Sequence, residues 1–166
     1  TTSSFEFVFS GPNQSLQAPN RFVKNSDFSF IVSTESGDLR RLSRTGDTTS
    51  LNDTSFNQIR DLEKLKDGNF IAFGNSKSFP AQAKMIKFDS LGTVIWSQIY
   101  SYTKSYSFNS AIEIDSGKII VAATCTNNTN FALFKLDSLG DTIKVQEVKR
   151  YNSFGSPAEI IKRKNF

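Results

Sequence analysis

The chain has 166 residues, 37% of them hydrophobic, and a formal net charge of +4. One cysteine and no histidine exclude a disulfide framework, a zinc site built on His and Cys and any mechanism that needs a histidine base. No stretch reaches the roughly 20 consecutive apolar residues of a membrane-spanning helix.

The N-terminal segment, residues 1–19, contains Phe5-Glu6-Phe7-Val8-Phe9, which reads as a strand. A ring-closing role is expected for residues 5–10. A first unit spans 20–55. It holds Asn25-Ser26-Asp27-Phe28-Ser29-Phe30-Ile31-Val32 and then Arg41-Leu42-Ser43-Arg44-Thr45-Gly46-Asp47-Thr48. A second unit, 56–107, holds Lys66-Asp67-Gly68-Asn69-Phe70-Ile71-Ala72-Phe73-Gly74 and Lys87-Phe88-Asp89-Ser90-Leu91-Gly92. A third, 108–155, holds Asp115-Ser116-Gly117-Lys118-Ile119-Ile120-Val121 and Lys135-Leu136-Asp137-Ser138-Leu139-Gly140. Residues 156–166 match the first strand of a further unit.

These copies keep a constant interval. Gly92 and Gly140 lie 48 positions apart, and Gly46 lies 46 before Gly92. In the second unit the pattern predicts strands over 58–65, 69–74, 83–89 and 93–100. In the third it predicts 109–115, 118–124, 131–137 and 141–148. Each is rich in Phe, Ile, Val or Tyr, with turn residues between. The stretch Gln58 to Leu65 is the best helical candidate, but it is short and fits a first strand. Four antiparallel strands at a period of roughly 40–50 residues predict an all-β fold, a β-propeller of four-stranded blades. A β-sandwich, the runner-up, gives no reason for the constant interval. Three blades and the start of a fourth are expected. A closed ring takes roughly 4–8, so the chain reads as part of a larger ring.

The two motifs in tandem resemble repeats of secreted and surface proteins of the Bacteroidota, of the form D-G-G-Y-I-I-A-G followed by K-L-D-S-N-G-N-V-L-W. Asp67 to Gly74 and Lys87 to Trp96 carry the resemblance best, and it covers roughly residues 20–166. The first unit departs from it: no acidic residue follows Leu39-Arg40-Arg41-Leu42, and no Trp comes after. The resemblance implies a propeller-like fold and an exported protein. Such proteins are often lipoproteins or carry a sorting domain.

Several residues invite a chemical reading. Asp89 and Asp137 occupy equivalent turn positions. Capping of the turn by the carboxylate is favoured over a repeated calcium site, because no D-x-D-x-D/N loop accompanies them. Glu113 and Asp115 are expected on one face of a strand, and paired carboxylates can hydrolyse glycosides; a solvated strand face is the simpler reading. Tyr102, Tyr106 and Phe108 cluster between the second and third units. They are the candidate binding residues, through stacking on sugars or burial at a protein interface. Trp96 is expected in a blade core and Cys125 as a buried filler. No catalytic residue, metal site or cofactor is assigned.

The mild positive charge forms no stripe, so nucleic acid is not an expected partner. The expectation is a non-enzymatic binding or scaffold propeller at the extracellular or outer-membrane surface of a bacterium. Its partner would be another protein, such as a subunit of an outer-membrane complex. The alternative is a carbohydrate-binding or carbohydrate-processing propeller.

Overall fold

Turns cut the chain into short strands, and each run of four strands forms one antiparallel sheet. A computed structural model describes residues 19–34, 36–51, 55–125 and 131–148. The first sheet contains β1 (Pro19–Lys24), β2 (Phe30–Thr34), β3 (Leu39–Leu42) and β4 (Thr48–Ser50). The second contains β5 (Phe56–Lys64), β6 (Phe70–Ser76), β7 (Ala83–Phe88) and β8 (Val94–Tyr100). The third contains β9 (Tyr106–Glu113), β10 (Ile119–Cys125), β11 (Phe131–Leu136) and β12 (Thr142–Val148). In every sheet the strands lie in chain order. The expected ring-closing strand at 5–10 and the further unit at 156–166 lie outside the described residues.

The sheets stack face to face. Ile31, Leu39, Phe56, Ile59, Leu62, Phe70 and Ile86 fill the space between the first and second. Ile71, Phe73, Met85, Phe108, Val121 and Phe134 fill the space between the second and third. Alternation along β6 sends Phe70 and Ala72 to one cluster and Ile71 and Phe73 to the other. A strand buried on both faces needs apolar residues at every position, which is why Phe70-Ile71-Ala72-Phe73 is unbroken. The first strands meet, β1 beside β5 and β5 beside β9. The sheets therefore fan out from an axis lined by β1, β5 and β9, with β4, β8 and β12 at the rim.

The repeated turns have one construction. In the second and third sheets the Asp89 and Asp137 amides donate to the Thr93 and Asp141 carbonyls, and Gly92 and Gly140 close the turn at φ of 92° and 85°. A side chain would strain that conformation. In the first sheet Ser43 stands where Asp is expected, and its hydroxyl accepts the Asp47 N–H at 3.0 Å. The missing acidic residue is thus replaced in kind.

Strand β5 departs from simple alternation. Its buried residues Phe56, Ile59 and Leu62 recur every third position, a spacing that also suits a helix. Two register shifts explain it. Asn57 and Arg60 are skipped in the pairing with β6, so Phe56, Ile59 and Leu62 oppose Ser76, Gly74 and Ala72 on one face. Such β-bulges let nine residues oppose seven and re-aim side chains. As a result Asp61 and Glu63 turn to the other face, toward β9.

Trp96 is not enclosed in its own blade, contrary to expectation. It is half-buried on the rim strand β8, and its ring lies over Gly140 of the next sheet. Its Nε1–H donates to the Ser138 carbonyl at 3.1 Å. Cys125 is buried and free.

Candidate functional site

The three candidate aromatics fare differently. Strand β9 begins at Tyr106, three residues before the expected start, so Tyr106 and Phe108 point into the interior. Neither presents a surface. They surround Phe134 of β11, with ring centroids at 5.2 and 5.1 Å. The Tyr106 hydroxyl donates to Glu147 Oε1 at 2.7 Å, and Lys104 Nζ reaches both Glu147 oxygens at 2.6 Å. Burial pushes the Tyr106 phenol up, and the bond to Glu147 adds to it. Burial likewise raises the Tyr100 phenol, whose hydroxyl donates to the Gly140 carbonyl at 2.8 Å. Only Tyr102 keeps an open face, at 41% exposure. Its ring rests on Phe134 at 5.6 Å, and its hydroxyl shares a 2.9 Å bond with that of Thr142.

A second candidate lies at the axis. A groove of about 430 Å³ runs between β5 and β9, lined by Arg21, Asp61, Glu63, Lys66, Ser110 and Glu113 among others. Arg21 Nε pairs with Asp61 Oδ1 at 3.2 Å. The Lys66 backbone N–H donates to Glu113 Oε2 at 2.6 Å, and its Nζ donates to the Ile114 carbonyl at 3.0 Å. The lining holds both cationic and carboxylate side chains, suited to a polar ligand that carries donors and acceptors. The expected pairing of Glu113 with Asp115 on one strand face does not occur. Strand β9 ends at Glu113, and Asp115 opens a 3₁₀ turn over Asp115–Gly117.

Sequence reading missed Arg21, Asp61, Glu63 and Lys66. Arg21, Asp61 and Glu63 come from two first strands some 40 residues apart and form no motif, and Lys66 opens the turn after β5. The only available signal was their place in the first strand of each unit, since those strands converge.

The turn carboxylates act on their own backbone. Asp89 Oδ1 accepts the N–H groups of Leu91 and Thr93 at 2.9 and 2.8 Å, and Asp137 Oδ1 accepts those of Leu139 and Asp141 at 2.9 Å each. Partial burial works to raise the Asp89 carboxyl, but the bonds from Thr93 and Leu91 outweigh it and hold it below its ordinary value. Burial likewise opposes the lowering of Asp67, where the 2.6 Å pair with Lys87 prevails. Bonds from the Ser29 hydroxyl and amide bring Asp27 down to about 2. A carboxylate lowered by folding adds stability above its unfolded value, and that stability is lost as pH falls through the folded value. Melting temperature should therefore drop between about pH 4 and pH 2. It should stay level between about pH 5 and 8, where histidine would titrate and the chain has none. Thermal melts across this range check it, and Asp89→Asn should shrink the acid drop.

Four-stranded antiparallel sheets fanned about an axis make this a β-propeller fold. Solved structures agree. A streptogramin B lyase, itself a β-propeller, superposes with a TM-score of 0.61 at 16% identity, over 93% of this chain and 47% of that one. A protein of unknown function from Bacteroides caccae gives 0.56 at 11% identity, over 86% and 50%. The extracellular domain of a proposed one-component system from B. thetaiotaomicron gives 0.52 at 13% identity, over 87% and 19%. The chain spans about half the length of the first two. At these identities the likeness is one of fold. No protein-family model and no curated protein matches the chain. Among the described residues no helix is long and apolar enough to cross a membrane.

Proposed function

We propose that this chain is a non-enzymatic binding or scaffold propeller at a bacterial cell surface, engaging a protein partner such as a subunit of an outer-membrane complex. One observation carries the reading: the turn end of the propeller displays large apolar side chains. Phe28, Leu91 and Leu139 stand at turn tips with exposures of 59%, 69% and 64%. The Asn25 side-chain amide donates to the Ser90 carbonyl at 3.1 Å and so joins the Phe28 turn to the Leu91 turn. Phe28 is the telling residue. It sits at φ 65°, at the position that Gly68 and Gly117 take in the other two sheets. A bulky residue there costs roughly 1–3 kcal/mol of backbone strain. Its ring meets Lys24 Nζ at 4.8 Å but supports no core cluster. Backbone strain clusters at functional sites, and contiguous exposed apolar side chains mark interaction surfaces.

Other features support the reading more broadly. The Asp61 and Glu113 carboxylates of the groove are each engaged by a neighbour. The repeat motif resembles exported Bacteroidota proteins. Two of the similar structures come from Bacteroides, one of them an extracellular domain.

Phe28→Gly separates fold from function. It should stabilise the protein by about 1 kcal/mol, raising the melting temperature by roughly 2–4 °C, while weakening capture of the partner from solubilised outer membranes. Unchanged capture by Phe28→Gly together with Leu91→Asn and Leu139→Asn would remove the basis of the proposal. The open face of Tyr102 favours the carbohydrate alternative. Calorimetric binding of an oligosaccharide that Tyr102→Ala abolishes would put that reading in its place.

A further inference from the structure

We propose that the axial groove between β5 and β9 binds a short peptide with free termini, its carboxylate at Arg21 and its ammonium at Glu113. This site is independent of the apolar turn tips. Charge narrows the ligand first. Arg21, Lys64 and Lys66 line the groove with Asp61, Glu63 and Glu113, three cations against three carboxylates. Such a lining exerts no net pull on a simple anion or cation, and it suits a zwitterion. It is too polar for an apolar ligand. Among the described residues no aromatic side chain lines it, so a sugar finds no ring to stack on.

The strands that form the groove supply the complement of a peptide backbone. Strands β5 and β9 each stand at the end of their sheet, so among the described residues each is paired along one edge. An extended peptide adds to such an edge through main-chain hydrogen bonds. Pairing with β6 and β10 is regular over residues 61–64 and 110–113, past the bulges. Backbone groups at the axis already take side-chain partners. The Asn20 amide donates to the Ile59 carbonyl at 2.9 Å, Glu113 accepts the Lys66 N–H, and Lys66 Nζ donates to the Ile114 carbonyl. A peptide carries one donor and one acceptor per residue and extends what these side chains begin.

The two ends of the groove differ, and this sets the direction of the ligand. At one end Arg21 Nε lies 3.2 Å from Asp61 Oδ1, and Nη1 donates to the Asn20 carbonyl at 3.0 Å. A guanidinium has five donors in a planar fork that matches a carboxylate, and among the described residues Nη2 is left for one. At the other end Glu113 uses Oε2 on the Lys66 N–H, while the Lys66 ammonium is turned onto the Ile114 carbonyl. Glu113 Oε1 then serves as acceptor for the ligand's ammonium. Asp61 and Lys66 are five residues apart, at most about 18 Å. An extended tripeptide spans about 10 Å, and the Arg21 and Glu113 side chains close the remaining distance.

Titration of the 166-residue chain with trialanine, followed by NMR chemical shifts, should give saturable binding with Kd below about 1 mM. Acetylating the N-terminus or amidating the C-terminus of the peptide should each weaken it at least about tenfold. These capped peptides act on the unaltered chain, so the test does not depend on a variant folding. Arg21→Gln should weaken trialanine but not trialanine amide, which lacks the carboxylate. Glu113→Gln keeps an oxygen for the Lys66 N–H, and it should weaken trialanine but not N-acetyl-trialanine. Phe28→Gly should leave trialanine binding unchanged, which separates this site from the turn tips. No saturable binding up to about 10 mM, or equal affinity for the doubly capped peptide, overturns the proposal. Displacement of trialanine by an equal concentration of maltotriose overturns it too, in favour of a sugar. The opposite pairing of variants with capped peptides overturns the assigned direction.

Discussion

Replacing Gly74 by alanine should destabilise the protein by about 3 kcal/mol, the upper part of the usual range for overpacking. A Cβ at Gly74 would stand 2.0 Å from the Gln58 carbonyl oxygen and 3.0 Å from the Arg60 nitrogen. Both are backbone atoms of the bulged strand β5, so no rotamer change can relieve the clash. The two bulges flank Ile59, the residue paired with Gly74. To admit the methyl group β5 must lift from β6 or lose a bulge. Losing a bulge shifts register, and a one-residue slip sends side chains to the opposite face. Asp61 and Glu63 would then leave the axial groove. Gly68→Ala is the control. Gly68 has φ 86° but nothing within 4 Å of an added Cβ, so its cost is conformational alone, about 1–2 kcal/mol. Urea unfolding should give a larger fall in midpoint for Gly74→Ala than for Gly68→Ala. Equal falls would mean that β5 yields easily and that its bulges are not held in place by the glycine.

This contrast also marks what the amino-acid sequence makes legible. The Asp-Ser-Leu-Gly turns announce themselves because their chemistry is local: an acceptor at the first position, and a residue that tolerates positive φ at the fourth. Strands β7, β8, β11 and β12, which flank those turns, match their expected bounds to within two residues. The spacing of Phe56, Ile59 and Leu62 is ambiguous because its cause is distant. Gly74, twelve residues beyond Leu62, makes room for the bulges that put all three on one face. The groove is hidden for a related reason. Arg21, Asp61 and Glu113 read as ordinary solvated positions until β1, β5 and β9 meet at the axis. Phe28 gives no warning either, since no propensity predicts phenylalanine at φ 65°. The cluster of Tyr102, Tyr106 and Phe108 misleads in the opposite direction. Aromatic density looks the same in a binding loop as in a core, and only the start of β9 at Tyr106 separates them.

Phe134→Ala should have the largest effect, a loss of about 4 kcal/mol, within the range for emptying an aromatic core position. Phe134 is fully buried and touches four rings: Tyr100, Tyr102, Tyr106 and Phe108, with centroids between 5.1 and 6.5 Å away. These rings belong to the end of β8, the loop after it and the start of β9. One side chain of the third sheet thus anchors the connection from the second. Edge-to-face pairs of this kind add about 0.5–1.5 kcal/mol beyond area, so Phe134→Leu, which keeps most of the volume, should still cost about 1–2 kcal/mol. A typical domain has about 5–15 kcal/mol in total, so Phe134→Ala removes a large fraction. The loss should appear first in the loop. Lys104 is tied to Glu147 on β12, and that tie depends on Tyr106 staying in place. Tryptic cleavage at Lys104 should therefore speed up in Phe134→Leu before global unfolding sets in. Tyr102→Ala, at a half-open position, should leave both stability and cleavage nearly unchanged. If Tyr102→Ala proved as damaging as Phe134→Leu, the loop and not β11 would be the anchor, and Tyr102 would be a structural residue with no surface to offer a ligand.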